Sequence, residues 1–411
     1  MIVPHPSLPL ALAALVALPT AVFAPKALAP LFALAAVSAL AIHVYTRRAL
    51  PPVPRRLGGA LAALLIVAAA SALWSVTPDR TLWASASLAG LMLGIAVLLG
   101  IAQRLDQPAR ARIGAALLSG VAVGAAALLI DRGFDRVLLR AGLSALGWDG
   151  GAGSYTLKPA ATVLALMIWP CLLVLSRRES RVASMAAGSV LVAAIMVSGS
   201  SAASLGAILG LGAFWLARSW PRVAGPLLGA VLAGFMIAAP WLPSLLPDPR
   251  VSMAGIDHLP NSAVHRIVIW QTTASRIHER PWLGHGFDTS RSLYPQSTSA
   301  EVRFARPTIG KSEGVNAEPI PLHPHNMALQ VWLEMGALGA GAALAVLLSV
   351  LAALARAPLG AAERAAGYGF FVAALVIAAT AYGAWQSWWL SALGLNAAFL
   401  VAVFSRAPKT P

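Results

Sequence analysis

Charge is scarce in this chain. Of its 411 residues only 11% are Asp, Glu, Lys or Arg, against roughly 25% in an ordinary soluble domain. With 58% hydrophobic residues and a mean hydropathy of +0.75, a water-soluble fold could not hide its apolar surface, and lipid is the natural solvent. Cysteine is nearly absent. Cys171 stands alone inside an apolar run, which excludes an intrachain disulfide and any metal site built on several thiolates. It reads as a small core residue. Acidic residues are also few, 15 against 30 basic, for a formal net charge of +15. The basic residues form no face with interleaved aromatics, which argues against nucleic acid as a partner. They sit in short clusters between apolar runs. No Lys or Arg precedes the first run, 8–24, so it reads as a retained helix rather than a cleaved signal peptide.

What the chain does have is long apolar runs. Crossing the hydrocarbon takes about 20 residues of helix. The sequence predicts spans near 8–24, 27–45, 57–75, 84–102, 112–130, 158–176, 182–199, 201–217, 223–242, 327–355, 365–382 and 384–404. Between 182 and 217 only Ser198-Gly199-Ser200-Ser201 interrupts the run. Two crossings are expected there because the basic clusters then keep one phase. Arg47, Arg48, Arg55, Arg56, Arg104, Arg110, Arg112, Arg177, Arg178, Arg181, Arg218, Arg222, Arg356, Arg364, Arg406 and Lys409 fall in alternate connections, whereas the other short ones hold little more than Lys26 and Arg80. By the positive-inside rule both termini are cytoplasmic, and segments 131–157 and 243–326 lie outside. The expected fold class is all-α, a polytopic membrane protein of about 12 transmembrane helices with a long, partly helical outer loop. It divides into an N-terminal bundle of about nine helices (1–242), a loop carrying the chemistry (243–326), and about three C-terminal helices (327–411). Gly206, Gly210, Gly212, Gly336, Gly339 and Gly341 read as packing glycines. Trp385, Trp388 and Trp389 suit either an interfacial aromatic belt or the lining of a site.

The loop holds most of the unusual side chains. Residues 262–280 read as an amphipathic helix with Val264, Ile267, Val268, Trp270 and Ile277 on mixed helical spacing, ended by Pro281. At about 100° per residue, Arg266 and Arg280 fall roughly 40° apart and could face one site. Trp282-Leu-Gly-His-Gly-Phe287 follows as a tight turn, then a polar stretch with Arg291, Arg303, Arg306 and Lys311. The loop closes on His323-Pro-His325-Asn326 ahead of an apolar helix, which Asn326 is placed to cap. Glu334, two turns further in, is either a functional carboxylate at membrane depth or a helix-end group reaching back to water. His-x-His could chelate a metal, but no Asp/Glu cluster or cysteine stands nearby. A neutral imidazole acting as general base fits better, with guanidinium groups suited to a phosphate. Polarity gathered in one loop, rather than at the midplane of interrupted helices, weighs against a transporter.

Four local patterns carry a resemblance. They are Ser71-Ala-Leu-Trp74-Ser75-Val-Thr-Pro78; Arg266-Ile-Val-Ile-Trp270 followed by Pro281-Trp-Leu-Gly284-His-Gly286; His325-Asn326-Met-Ala-Leu329-Gln330-Val-Trp-Leu-Glu334-Met-Gly336; and Gly383-Ala-Trp385-Gln386-Ser-Trp388-Trp389. In order and spacing the chain resembles the O-antigen ligase family, within the wider group that includes bacterial polysaccharide polymerases. The resemblance implies a metal-independent, cofactor-free membrane glycosyltransferase of the bacterial inner membrane. Its donor would be an undecaprenyl-pyrophosphate-linked glycan, and its acceptor lipid A–core or, in a polymerase, another lipid-linked glycan. Transfer would occur on the periplasmic face. By motif, His325 would be the base that activates the acceptor hydroxyl and Arg266 would contact the donor pyrophosphate, with His323, Asn326, Glu334 and Trp270 in support. Where many members carry Ser-Arg, this chain has Ser200-Ser201. Arg276, Arg280, Arg303, Arg306 and Lys158 are the candidates for the missing cation.

Overall fold

The structure, a computed structural model, describes residues 5–52, 55–145, 156–249, 256, 258–259, 261–293, 300–306, 311–317 and 321–404, with backbone alone at 55, 56, 261, 300–306 and 311–317. Its helices are α1 (Ser7–Phe23), α2 (Leu28–Arg47), α3 (Arg55–Ala70), α4 (Pro78–Ala102), α5 (Gln107–Gly133), α6 (Val137–Ala145), α7 (Lys158–Arg178), α8 (Arg181–Val197), α9 (Ser201–Ser219), α10 (Pro221–Ala238), α11 (Asn261–Glu279), α12 (Met327–Arg356), α13 (Ala361–Thr380) and α14 (Ser387–Val403). Their starts follow local chemistry. The side chains of Asp106, Ser180, Ser200 and Asn326 each accept the backbone N–H three residues on, freeing α5, α8, α9 and α12 from one orphan donor apiece. Among the described residues eight helices are long and apolar enough to cross a bilayer, and four shorter apolar ones (7–23, 57–73, 181–197 and 387–403) accompany them. The chain is a multi-pass membrane protein of all-α class.

α7 is the hub, packed against α1, α5, α8, α9, α13 and α14, with Trp169 wholly buried at its middle. Small residues permit the close approach that packing in lipid requires: a Cβ on Gly210 would lie 2.7 Å from the Trp169 ring, and one on Gly120 would lie 2.3 Å from the Leu15 carbonyl oxygen. Outward-facing side chains such as Leu34 and Val37, both 67% exposed, offer an apolar surface to lipid.

Two bonds establish the direction of the ambiguous pair. Arg178, at the end of α7, donates to the Ala111 carbonyl near the start of α5. Arg132, at the far end of α5, donates to the Val197 carbonyl at the end of α8. So α8 runs the full height of the bundle. After a turn at Gly199 (φ +78°), α9 returns along α13. The two crossings are separate helices. Arg112 bonds Ser7, and Arg110 bonds the Ala402 and Phe404 carbonyls. The first helix therefore begins, and the last ends, at one end of the bundle. The opposite end receives the segment 243–326.

Two features depart from the sequence reading. Within the loop, β1 (Ala300–Arg306) and β2 (Lys311–Ala317) form an antiparallel pair with Ala300 opposite Ala317, a short hairpin that no helical pattern announces. And α12 is not continuous: Gly336 (φ +60°, ψ −159°) breaks it.

Candidate functional site

The site begins with that break. In an unbroken helix the Leu333 and Glu334 carbonyls would accept from the N–H groups of residues 337 and 338. Here those four groups turn to the Pro281–Gly286 turn instead. His285 N–H donates to Leu333 O (3.0 Å), Gly286 N–H to Glu334 O (2.8 Å), Ala337 N–H to Pro281 O (2.8 Å) and Leu338 N–H to Trp282 O (3.3 Å). Interrupted backbone in a membrane protein must find such partners within the protein. The approach is close enough to need glycine on both sides. A Cβ on Gly284 (φ +67°) would lie 2.4 Å from the Glu334 carbonyl carbon, and one on Gly336 would lie 2.3 Å from that of Trp282. The same turn is bound from behind by the start of α4 and the residues before it. Trp74 Nε1 donates to Leu283 O (3.0 Å), Val76 N–H to His285 O (3.2 Å), Phe287 N–H to Ser71 Oγ (2.9 Å) and Thr81 Oγ1 to Phe287 O (2.8 Å).

At the centre lies Glu334, fully buried. Its carboxylate accepts from Asp288 N–H (2.8 Å), Ser290 N–H (3.4 Å), the Ser290 hydroxyl, Gln330 Nε2 (3.0 Å) and Trp385 Nε1 (2.7 Å). Gln330 Oε1 in turn accepts from Ala384 N–H (2.8 Å). One carboxylate thus joins the turn, α12 and the α13–α14 connection. Arg80 clasps Asp288 alongside, 2.6 Å to the carboxylate and 3.1 Å to the carbonyl. Five donors on one carboxylate make it a structural hub, not a group reaching back to water.

His325 sits one residue before the α12 cap, in the left-handed region (φ +54°). Its Nδ1 bonds the Ala381 carbonyl at 2.5 Å. A carbonyl can only accept, so Nδ1 carries the proton and Nε2 is the basic nitrogen. Burial lowers the His325 pKa below the ordinary imidazole value. The charges of Arg266 and Lys158 and the His265 ring push the same way, opposed by the Ala381 bond. His323 stacks edge-on, ring centroids 4.3 Å apart, and its Nδ1 accepts the His325 N–H. Burial, then His325 and Arg291, pull His323 down to about 3. Trp270 Nε1 donates to Pro324 O (3.0 Å), tying α11 to the junction. Among the described residues no group of three or more His, Cys, Asp or Glu is placed to hold a metal.

Of the residues singled out in the sequence, His323, His325, Asn326, Trp270, Arg266 and Lys158 gather around this junction, and Glu334 lies just below. Arg266 is partly buried, which lowers its pKa. Arg276 does not join them, being engaged by both oxygens of Glu279 at 2.9 Å. Nor does Arg280, which is exposed just past the end of α11. The 40° that separates Arg266 from Arg280 around the helix ignores the rise between them, about 21 Å over fourteen residues at 1.5 Å each. The side chains of Arg303 and Arg306, on β1, lie outside the described residues, and Ser200 caps α9. Sequence reasoning passed over His265, whose buried Nε2 has no partner among the described residues, and Asp288, Ser290 and Arg80. Asp288 and Ser290 follow the glycine turn within four residues, which was their only signal.

Residues 186–344 match the family model described as O-antigen ligase. Among curated proteins, the chain is 28% identical over 238 residues to a "putative polysaccharide ligase" of Rickettsia prowazekii, and equally so to that of Rickettsia typhi. It is 27% identical over 239 residues to that of Rickettsia felis. Each match covers 58% of this chain and 56% of the relative, so the chain spans about half the length of the relatives it matches. The matched segment contains the glycine turn, the broken helix and the His-Pro-His-Asn junction. That segment is similar to the O-antigen ligase family.

Proposed function

We propose that the protein is an inverting membrane glycosyltransferase. It moves a glycan from undecaprenyl pyrophosphate to a sugar hydroxyl of lipid A–core at the periplasmic face of the bacterial inner membrane. The observation that carries this is the His325 tautomer: a neutral imidazole, its Nδ1–H committed to a backbone carbonyl, offers Nε2 as a base beside Arg266 and Lys158. The acceptor hydroxyl attacks the anomeric carbon and its proton passes to Nε2. The bond from that carbon to the pyrophosphate oxygen breaks, and the leaving pyrophosphate takes the electron pair. Arg266 and Lys158 stabilise the charge that develops there, and general-base assistance contributes about 10²–10⁴ in rate. The arginine-bearing end of the bundle, with both chain ends, faces the cytoplasm by the positive-inside rule. The loop 243–326 then works as the catalytic segment outside.

Purified protein in lipid nanodiscs, given undecaprenyl-pyrophosphate-linked glycan and lipid A–core, should transfer the glycan with no second compartment. His325→Ala should abolish transfer at unchanged protein level and membrane insertion, and wild-type transfer by that variant refutes the role. The similarity to polysaccharide ligases favours a ligase over a polymerase. Gene deletion separates the two: unattached lipid-linked polymer accumulates if a ligase is lost, single repeats if a polymerase is lost.

A further inference from the structure

Against His323 lies a cleft of about 430 Å³ that shares Arg80, Asp288, Gln330 and Trp385 with the surroundings of Glu334 and to which no substrate has yet been given. Its walls come from five separate places: Lys26 in the α1–α2 connection, Trp83 on α4, Arg291 after the glycine turn, His323, and Trp385 with Trp388 around the start of α14. Arg266, Lys158, His265 and His325 do not line it. Arg291 acts on the His323 ring, whereas Arg266 and Lys158 act on His325. Arg291 thus belongs to the cleft, and Arg266 and Lys158 stand outside its lining.

The lining has a definite chemistry. Lys26 and Arg291 are exposed, and the start of α14 opens on the same space without a side-chain cap on its first turn, adding the partial positive charge of a helix N-terminus. Gln386 stands beside it in the lining. Trp83 is 77% exposed, and Trp388 is half-buried. The negative face of an indole packs against the weakly positive C–H face of a sugar ring. The lining also holds the Arg80–Asp288 ion pair, whose charges offset each other, so Lys26 and Arg291 leave the cleft net positive, and with the indole faces it suits an acidic saccharide.

We infer that this cleft binds the acceptor glycan and that the acceptor presents a phosphate or carboxylate to Lys26 and Arg291. The inference rests on the transferase reading above. In a single displacement the attacking oxygen and the leaving oxygen stand on opposite faces of the anomeric carbon, so the acceptor and the pyrophosphate need separate binding places. With Arg266 and Lys158 at the pyrophosphate, the cleft beyond His323 is left for the acceptor.

The test uses the full-length protein in nanodiscs, with donor and acceptor varied separately. The probe is lipid A–core isolated from cells that make no O-antigen, as isolated and after phosphatase treatment. Arg291→Gln and Lys26→Gln should each raise the acceptor KM about tenfold, equivalent to about 1.4 kcal/mol, with the donor KM within twofold. Phosphatase treatment should raise the wild-type acceptor KM similarly and add little to the loss in the variants, as expected when both changes remove one interaction. Trp388→Leu should raise the acceptor KM whether or not the acceptor is phosphorylated. A donor KM that rises instead assigns the cleft to the pyrophosphate, and unchanged values for both substrates leave it inert; either overturns the inference. If wild-type protein transfers nothing, the transferase reading fails. Retention of radiolabelled lipid A–core by wild type but not by Arg291→Gln then still decides the cleft.

Discussion

Gly336→Ala is the sharpest perturbation the fold offers. Position 336 holds φ +60° and ψ −159°, a region essentially reserved for glycine, where another residue costs about 1–3 kcal/mol in backbone strain. The added methyl would lie 2.3 Å from the Trp282 carbonyl carbon and 2.5 Å from Leu283 N. Both neighbours are backbone and cannot swing aside. The turn must then draw away from α12. Four backbone bonds are at stake, at about 1 kcal/mol each. Together these give a destabilisation of about 5 kcal/mol, comparable to the whole stability of many domains. The same shift displaces the Glu334 carboxylate from the donors of the turn. Gly341→Ala is the matched control, five residues along the same helix with nothing within 4 Å of its Cβ. Thermal unfolding in detergent and glycan transfer should separate the two. Gly336→Ala should unfold at much lower temperature and lose transfer, while Gly341→Ala should stay near wild type. Equal midpoints and equal transfer for the two would show that the turn and the helix are not interlocked as described.

Two further outcomes follow from the buried groups. Glu334→Gln replaces one acceptor oxygen by an NH₂ that must face donors, leaving at least one buried N–H or O–H unpaired. A loss of about 2–3 kcal/mol is expected, read as a lower unfolding temperature, and an unchanged one would contradict the hub. His323 is held to about 3 by burial, so the unfolded chain binds a proton near 6.5 that the folded one refuses. Its contribution is fully present above pH 6.5 and is lost as pH falls, by about 2 kcal/mol at pH 5. His323→Gln should flatten that part of the stability–pH curve, and an unaltered slope would exclude His323 as its source.

The apolar runs disclosed the helices because crossing a bilayer imposes a length that few other structures need. The phase of the arginines foretold that 182–217 crosses twice, and the Arg132 and Arg178 bonds bear it out. The chemistry of the loop was legible as residue types but not as places. Gly336 looked like one more small residue in an apolar helix, since nothing local signals that Gly284, about fifty residues earlier, will press against it. Trp385 suited either an interfacial belt or the lining of a site, and only its bond to Glu334 decides for the second. Arg280 shared a helix side with Arg266 but not its height. In each case the deciding partner is distant in sequence, and periodicity reports only on neighbours.

The woven junction of turn and broken helix also constrains how the chain is made. Residues 281–286 leave the ribosome about 50 residues ahead of Gly336. At roughly 5–20 residues per second, that is an interval of roughly 2.5–10 s. During it the nascent turn can bond only the earlier residues 71–81, and the arriving helix, once inserted, exposes four unmet backbone groups until the turn closes over them. Biogenesis must therefore hold the first segment at the membrane surface, paired on one side alone, until the second is delivered beside it.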